Sequence, residues 1–197
     1  MSKVLNASNN PDARFQAITR LKIWADNYNH GDVEAIALSI RRFGFNNALR
    51  VWRDDVVMAG NHTLQALRLI QQEGPRPDVD QAWPPANVVV DGADWLVLTV
   101  DVSHLNALEA KAFAIADNRL AREAVTDDAL LAQYLKEIAD HEQFLVQAAG
   151  YNDVAFQEMM HYLTSDIVPD DFPEYDETIA STVKTCTCPN CGHVFVP

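Results

Sequence analysis

The chain predicts an α+β fold, with strands and helices mixed in its first half and helices alone in its second. Three observations support this. Short apolar or alternating runs cluster between residues 49 and 101, apolar residues fall at helical spacing after residue 126, and the 197-residue chain is 48% hydrophobic and 22% charged. That composition belongs to a chain long enough to bury a sizeable core.

The elements follow in order. Residues 1–16 are polar and aperiodic and read as a flexible arm, and residues 17–23 read as a first strand. Val33, Ile36, Ala37 and Ile40 lie on one helical face, with Gly44 as the stop. Leu49 to Arg53 alternates apolar with basic, Asp54-Asp55 offers a two-residue turn and Val56 to Ala59 runs apolar, which makes a hairpin. Gly60 follows at once, and Leu64, Leu67 and Ile70 return to helical spacing, with Asn61 or Thr63 as the N-cap. Residues 74–86 hold four of the nine prolines and read as a loop. Residues 87–91 and 95–101 flank Gly92 as a second hairpin. Asn106 with Glu109 forms a capping box, and Leu105, Leu108, Ala112 and Ile115 form the expected buried stripe of a third helix. Thr126 with Asp127-Asp128 caps a helix bearing Leu131, Tyr134, Leu135 and Ile138, and Asn152-Asp153 starts another bearing Phe156, Met159, Met160 and Leu163. Pro169, Pro173 and a run of Asp and Glu make 164–184 an acidic linker. The expected domains are therefore the arm 1–16, a core 17–124, a helical extension 125–163, the linker 164–184 and a Cys-rich tail 185–197.

Charge separates the halves. Residues 1–73 carry nine Lys/Arg against seven Asp/Glu, and residues 74–197 carry six against twenty-one. The second half repels phosphate, so an anion site belongs in the first and the acidic half suits a basic protein partner or simple solubility. Autonomous DNA binding is expected to be weak or assisted. No apolar run is long enough for a membrane span and no signal-peptide core opens the chain, so a cytoplasmic protein without membrane contact is expected. The three cysteines all lie at the C-terminus, which fits a reducing compartment.

Three constellations can carry chemistry. At Gly60-Asn61-His62-Thr63 a glycine turn opens a helix whose first amides suit phosphate, while the side chains add donors. His62 is the titratable group there and a candidate acid or base. The same residues could serve only as a turn and a cap. Asp117-Asn118-Arg119 sets two oxygen ligands suited to Mg²⁺ beside a guanidinium suited to phosphate, or else a helix C-cap beside a solvated charge. Cys186, Cys188, Cys191 and His193 surround Cys-Pro-Asn-Cys-Gly, which resembles a zinc-ribbon knuckle; Cys188 and Cys191 are its first ligands, and a closed site takes Cys186 and His193 or a second chain.

The order of these motifs resembles the ParB/sulfiredoxin-like domain. The matching runs are residues 39–45, then Ala59-Gly60-Asn61-His62-Thr63-Leu64-Gln65-Ala66, then Ile115-Ala116-Asp117-Asn118-Arg119, with Gly150 to Asp153 before the last helix. The likeness extends over about residues 17–163 and is nearest to ParB-like proteins of phages and those beside DNA methyltransferases. It implies a nucleotide pocket using Gly44, Asn47, Gly60, Asn61, His62, Thr63, Asn118 and Arg119, with Mg²⁺ at Asp117 and Asn118. It also implies CTP or ATP as ligand, homodimerisation, and a slow CTPase-like activity or nuclease activity with Asp117 and His62 as catalytic groups. Asn47 stands where the family has Gln and Ala48 where it has Pro. Asn61-His62-Thr63 replaces Glu-Arg-Arg, and Ala121 replaces an Arg that Arg119 or Arg122 could stand in for. Sulfiredoxin chemistry needs a cysteine where Asn61 stands. The expectation is a ParB-like nucleotide-binding protein of DNA transactions, encoded by a phage or mobile element. The alternatives are a non-catalytic interaction module on the same scaffold, and a metal-dependent nuclease or nucleotide-dependent small-molecule kinase.

Overall fold

A computed structural model describes residues 12–164 and 186–195. Residues 1–11 of the expected arm and the acidic linker from residue 165 onward lie outside the described residues. The chain divides into two units, Met1–Leu163 and Thr164–Pro197.

The first unit is built on a six-stranded mixed sheet. Its strands are β1 (Ala13–Ala17), β2 (Lys22–Ile23), β3 (Leu49–Trp52), β4 (Val56–Ala59), β5 (Val89–Asp91) and β6 (Asp94–Asp101), in the order β1-β6-β3-β4-β2 with β5 also on β6. Two pairings are parallel, β3 with β6 and β2 with β4. Helices α1 (Val33–Phe43) and α2 (Asn61–Glu73) cover one face, and α3 (Ala107–Arg122) covers part of the other. β4 therefore runs apolar without alternation, because Val57 joins the core under α1 and α2 while Val56 and Met58 pack toward α3.

Several sequence expectations shift. The strand expected at 17–23 is two pieces, because β1 begins at Ala13 and takes up part of the expected arm, pairing antiparallel with β6. A turn then leads to β2, held by Arg68 of α2, whose guanidinium donates to the carbonyls of Ile18 at 2.8 Å and Leu21 at 2.5 Å. The β3–β4 connection is Arg53–Asp55, one residue longer than expected, with Asp54 and Asp55 both at positive φ. The second hairpin turns at Gly92-Ala93 as expected. α3 buries Ala110 and Ala114 against the sheet and leaves Leu108, Ala112 and Ile115 exposed. Small residues let that helix approach closely, so the larger apolar stripe faces away.

The helical extension is α4 (Asp128–His141), α5 (Gln143–Ala148) and α6 (Asp153–Thr164) around Leu135, Val146 and Phe156. Asp127, not Thr126, caps α4 through Leu130 N–H, and Tyr134 points to solvent. α5 has no counterpart among the expected elements; at six residues it is too short for a periodic signal.

Among the described residues, Arg41 is the largest fully buried side chain. From α1 it donates to Gly74 O at 3.0 Å and Asp80 Oδ1 at 3.1 Å and pairs with Glu73 at 3.0 Å. It also lies 5.9 Å from the Trp83 ring, which meets Trp95 edge-on. The proline-rich loop is thus anchored through one guanidinium that reaches its partners at the end of α2 and at Asp80. Replacing Arg41 with Met leaves buried Asp80 without its cation, and about 3–5 kcal/mol of stability is expected to be lost in urea denaturation. An Arg41→Met protein as stable as wild type would contradict this assignment.

On the surface, the Arg20 guanidinium, 2.7 Å away, holds the Asp55 carboxyl below its ordinary value of 3.8, with Gln16 assisting. A carboxyl depressed in the folded state contributes stability above its unfolded value, and that contribution is lost as pH falls through the folded one. Asp55→Asn is expected to flatten the fall in thermal stability below about pH 4.

Candidate functional site

The chain passes from β4 to α2 through a single residue. Gly60 takes φ +96° and caps the helix with no side chain, so neither Asn61 nor Thr63 is the N-cap. Leu64 N–H makes the first ladder bond, to Gly60 O at 2.9 Å. The amides of Asn61, His62 and Thr63 have no partner within the helix, and no acidic residue sits in its first turn. This end of α2 carries partial positive charge toward the groove.

Two adjoining cavities form that groove, of about 300 and 320 Å³, sharing Ala59, Gly60, Thr63 and Asp117 as a common wall. The first is also lined by Asn29, Gly31, His62 and Asn118, and the second by Asn47, Arg50 and Ala121. The tertiary structure therefore brings Asn47, the Gly60–Thr63 turn and the Asp117-Asn118 pair together from three separate stretches. Arg50 was not singled out by its motif, although the alternation at Leu49 to Arg53 already marks it as basic.

Other expected ligands are otherwise engaged. Gly44 lines neither cavity; at φ +84° it lies against Ala86, whose Cβ would stand 2.7 Å from any added Cβ. Asn61 is only 4% exposed, and its Oδ1 accepts Trp24 N–H at 2.9 Å, tying α2 to the end of β2. His62 Nε2 accepts the Gly31 N–H at 3.1 Å, so that nitrogen holds the loop before α1. Asn118 donates to Ala114 O at 2.8 Å and accepts from Asn29 at 2.9 Å, and Arg122 reaches the same Asn29 at 2.9 Å. Arg119 pairs with Glu123 on the surface. Neither Arg119 nor Arg122 lines the groove, and Arg50 is its cation.

Asp117 is exposed, lines both cavities and has no cation paired with it among the described residues. No group of three or more His, Cys, Asp or Glu among the described residues is placed to hold a metal ion. Asn118 Oδ1 accepts one bond from Asn29, and Asp117 is the carboxylate that lines both cavities. One carboxylate completed by phosphate oxygens and water is a normal Mg²⁺ environment, so the residues fit Mg²⁺ bound together with a phosphate ligand.

In the second unit, β7 (Cys186–Thr187) pairs with β8 (Val194–Phe195). Cys188 N–H donates to His193 O at 2.8 Å and Gly192 N–H to Cys188 O at 2.9 Å. The amides of Asn190 and then Cys191, with the Cys191 thiol, hold the Cys188 thiol below its ordinary value. The Cys188–His193 and Gly192–Cys188 backbone bonds close the turn that carries Cys188 and Cys191. The expected set of Cys186, Cys188, Cys191 and His193 is not assembled there, since no three such side chains gather among the described residues.

No protein-family model and no curated protein matches the chain. Among solved structures it resembles the C-terminally truncated chromosome-partitioning protein ParB from Caulobacter crescentus, complexed with CTP-γ-S. The TM-score is 0.54 at 16% identity, covering 77% of this chain and 78% of that one. It also matches a Pnob8-like ParB-N domain, with TM-score 0.33, 13% identity and coverage of 93% of this chain and 56% of that one. The chain has the ParB-like α+β fold. No helix among the described residues is long and apolar enough to cross a membrane.

A Cβ at Gly60 would stand 2.6 Å from Leu49 Cδ2 in the core, on a backbone that L-residues avoid. Gly60→Val is therefore expected to cost at least about 2 kcal/mol, measured by denaturant titration, besides blocking the groove. A fully stable Gly60→Val protein would mean that the turn can rearrange.

Proposed function

We propose that this chain is a ParB-like protein that binds a nucleoside triphosphate with Mg²⁺ and acts in DNA transactions, of the kind carried by phages or mobile elements. The observation that carries the reading is the shared wall of the groove. The α2 amide turn stands there across from Asp117, with Arg50 on the same surface, in a fold shared with a ParB bound to a CTP analogue. The Gly60–Thr63 turn receives phosphate oxygens through backbone N–H groups, and Arg50 adds a charge-assisted contact. Asp117 holds Mg²⁺ against those oxygens; when bound, the ion offsets phosphate charge. Asn118, Asn29 and His62 act as positioning residues that hold the loop before α1 along the groove. Hydrolysis, where it occurs, is slow, since Asp117 is committed to the metal.

The site lies in a core domain, 17–124 with β1 added, followed by the helical extension 125–163, the acidic linker 164–184 and the tail 185–197. DNA contact is weak or assisted, and the acidic half takes a protein partner. Cys188 and Cys191 of the tail bind Zn²⁺. The second reading, an interaction module without nucleotide, is favoured by the exposure of Leu108 (78%), Ile115 (53%) and Leu120 (71%) along α3.

Titration calorimetry of the full chain against CTP, ATP, GTP and UTP tests the proposal. Saturable binding of at least one nucleotide with Mg²⁺ is expected, weakened about tenfold in Arg50→Ala. Asp117→Asn is expected to abolish the Mg²⁺ dependence, and Mg²⁺ without nucleotide is expected to give no saturable heat. Silence with all four nucleotides would move the assignment to the interaction module.

A further inference from the structure

The tail hairpin presents two sulfurs together and stops there. The Cys188 thiol receives the amides of Asn190 and Cys191 and the thiol of Cys191. Gly192, at φ +72°, closes the turn beneath them. Cys191 is exposed and Cys188 half-buried. A structural zinc site needs four donors with Zn–S near 2.3 Å, which sets sulfurs roughly 3.8 Å apart. Cys186 lies on β7, whose backbone pairs with β8 at Phe195, and it forms no group of three with the two sulfurs among the described residues. His193 lends its backbone carbonyl to the turn, and no third His, Cys, Asp or Glu joins the pair among the described residues.

From this arrangement we infer that the tail is half of a zinc site completed by the same two cysteines of a second copy of this chain. The inference rests on the reading that Cys188 and Cys191 take zinc. Two hairpins related by a twofold axis supply four equivalent thiolates, a self-complementary arrangement that needs no other partner. Charge permits the approach at this place in particular. The chain carries a formal −13, yet residues 185–197 contain no Asp, Glu, Lys or Arg, so two tails meet without the repulsion that opposes other faces.

Native mass spectrometry of the full chain, loaded with Zn²⁺ and freed of excess, tests this. The expected species is a dimer holding one zinc that falls to zinc-free monomer on chelation. Cys188→Ser or Cys191→Ser is expected to lose both the zinc and the chelator-sensitive dimer, while the double variant Cys186→Ser/His193→Ala keeps both. One zinc per monomer, lost in that double variant, would show that the chain closes its own site and would overturn the shared site while leaving zinc binding intact. Failure to retain zinc at all would overturn both. A dimer indifferent to chelation and to Cys188→Ser would place self-association elsewhere and overturn the inference.

Discussion

Everything around the groove depends on one backbone conformation, the left-handed Gly60 pressed against Leu49. β4 is a central strand buried on both faces, and it must pass into α2 with no intervening loop. A φ of +96°, with Leu49 Cδ2 where a Cβ would stand, favours a residue without a side chain there. The consequence is functional as well as structural. A cap without a side chain leaves the first amides of α2 facing the groove, whereas Ser or Asp at that position would have taken one of them.

Around that turn the polar side chains have divided the work. Asn61, His62 and Asn118 all stand beside the groove, yet each is spent on holding backbone or a neighbouring side chain. The loop between β2 and α1 is therefore clasped from two sides, by His62 on α2 and by Asn118 and Arg122 on α3. What remains toward a ligand is the amide dipoles, the side chains of Asn47 and Thr63, Asp117, and Arg50, which also donates to the Ala48 carbonyl.

Arg41 plays the corresponding part on the far side of α1 and α2. Its guanidinium ties the end of α2 and the proline-rich loop to α1, and Trp83 stacks over it. Arg42, the next residue, reaches Glu142 at the head of α5 at 2.6 Å. Two consecutive arginines thus join α1 to two different parts of the first unit. Nothing in their adjacency in sequence distinguishes these separate roles.

Much of this was legible in the order of residues. Val33, Ile36, Ala37 and Ile40 announced the buried face of α1, Asn106 and Glu109 the capping box of α3, and Gly60 the turn beside which Asp117 and Asn47 gather. These are local signals, since spacing, caps and turns depend on neighbours within a few positions. The face of α3 was misread because two apolar stripes compete on it, and close packing against the sheet selects the alanines over the leucines. The engagement of His62 by Gly31, of Asn118 by Asn29 and of Arg41 by Asp80 joins residues 31, 89 and 39 positions apart. The sequence by itself determined which segments become helices and strands and where the glycine turn falls. Which polar groups stay free for a ligand and which are spent on the fold was decided by tertiary structure, because a hydrogen bond is claimed by whichever partner folding brings within reach.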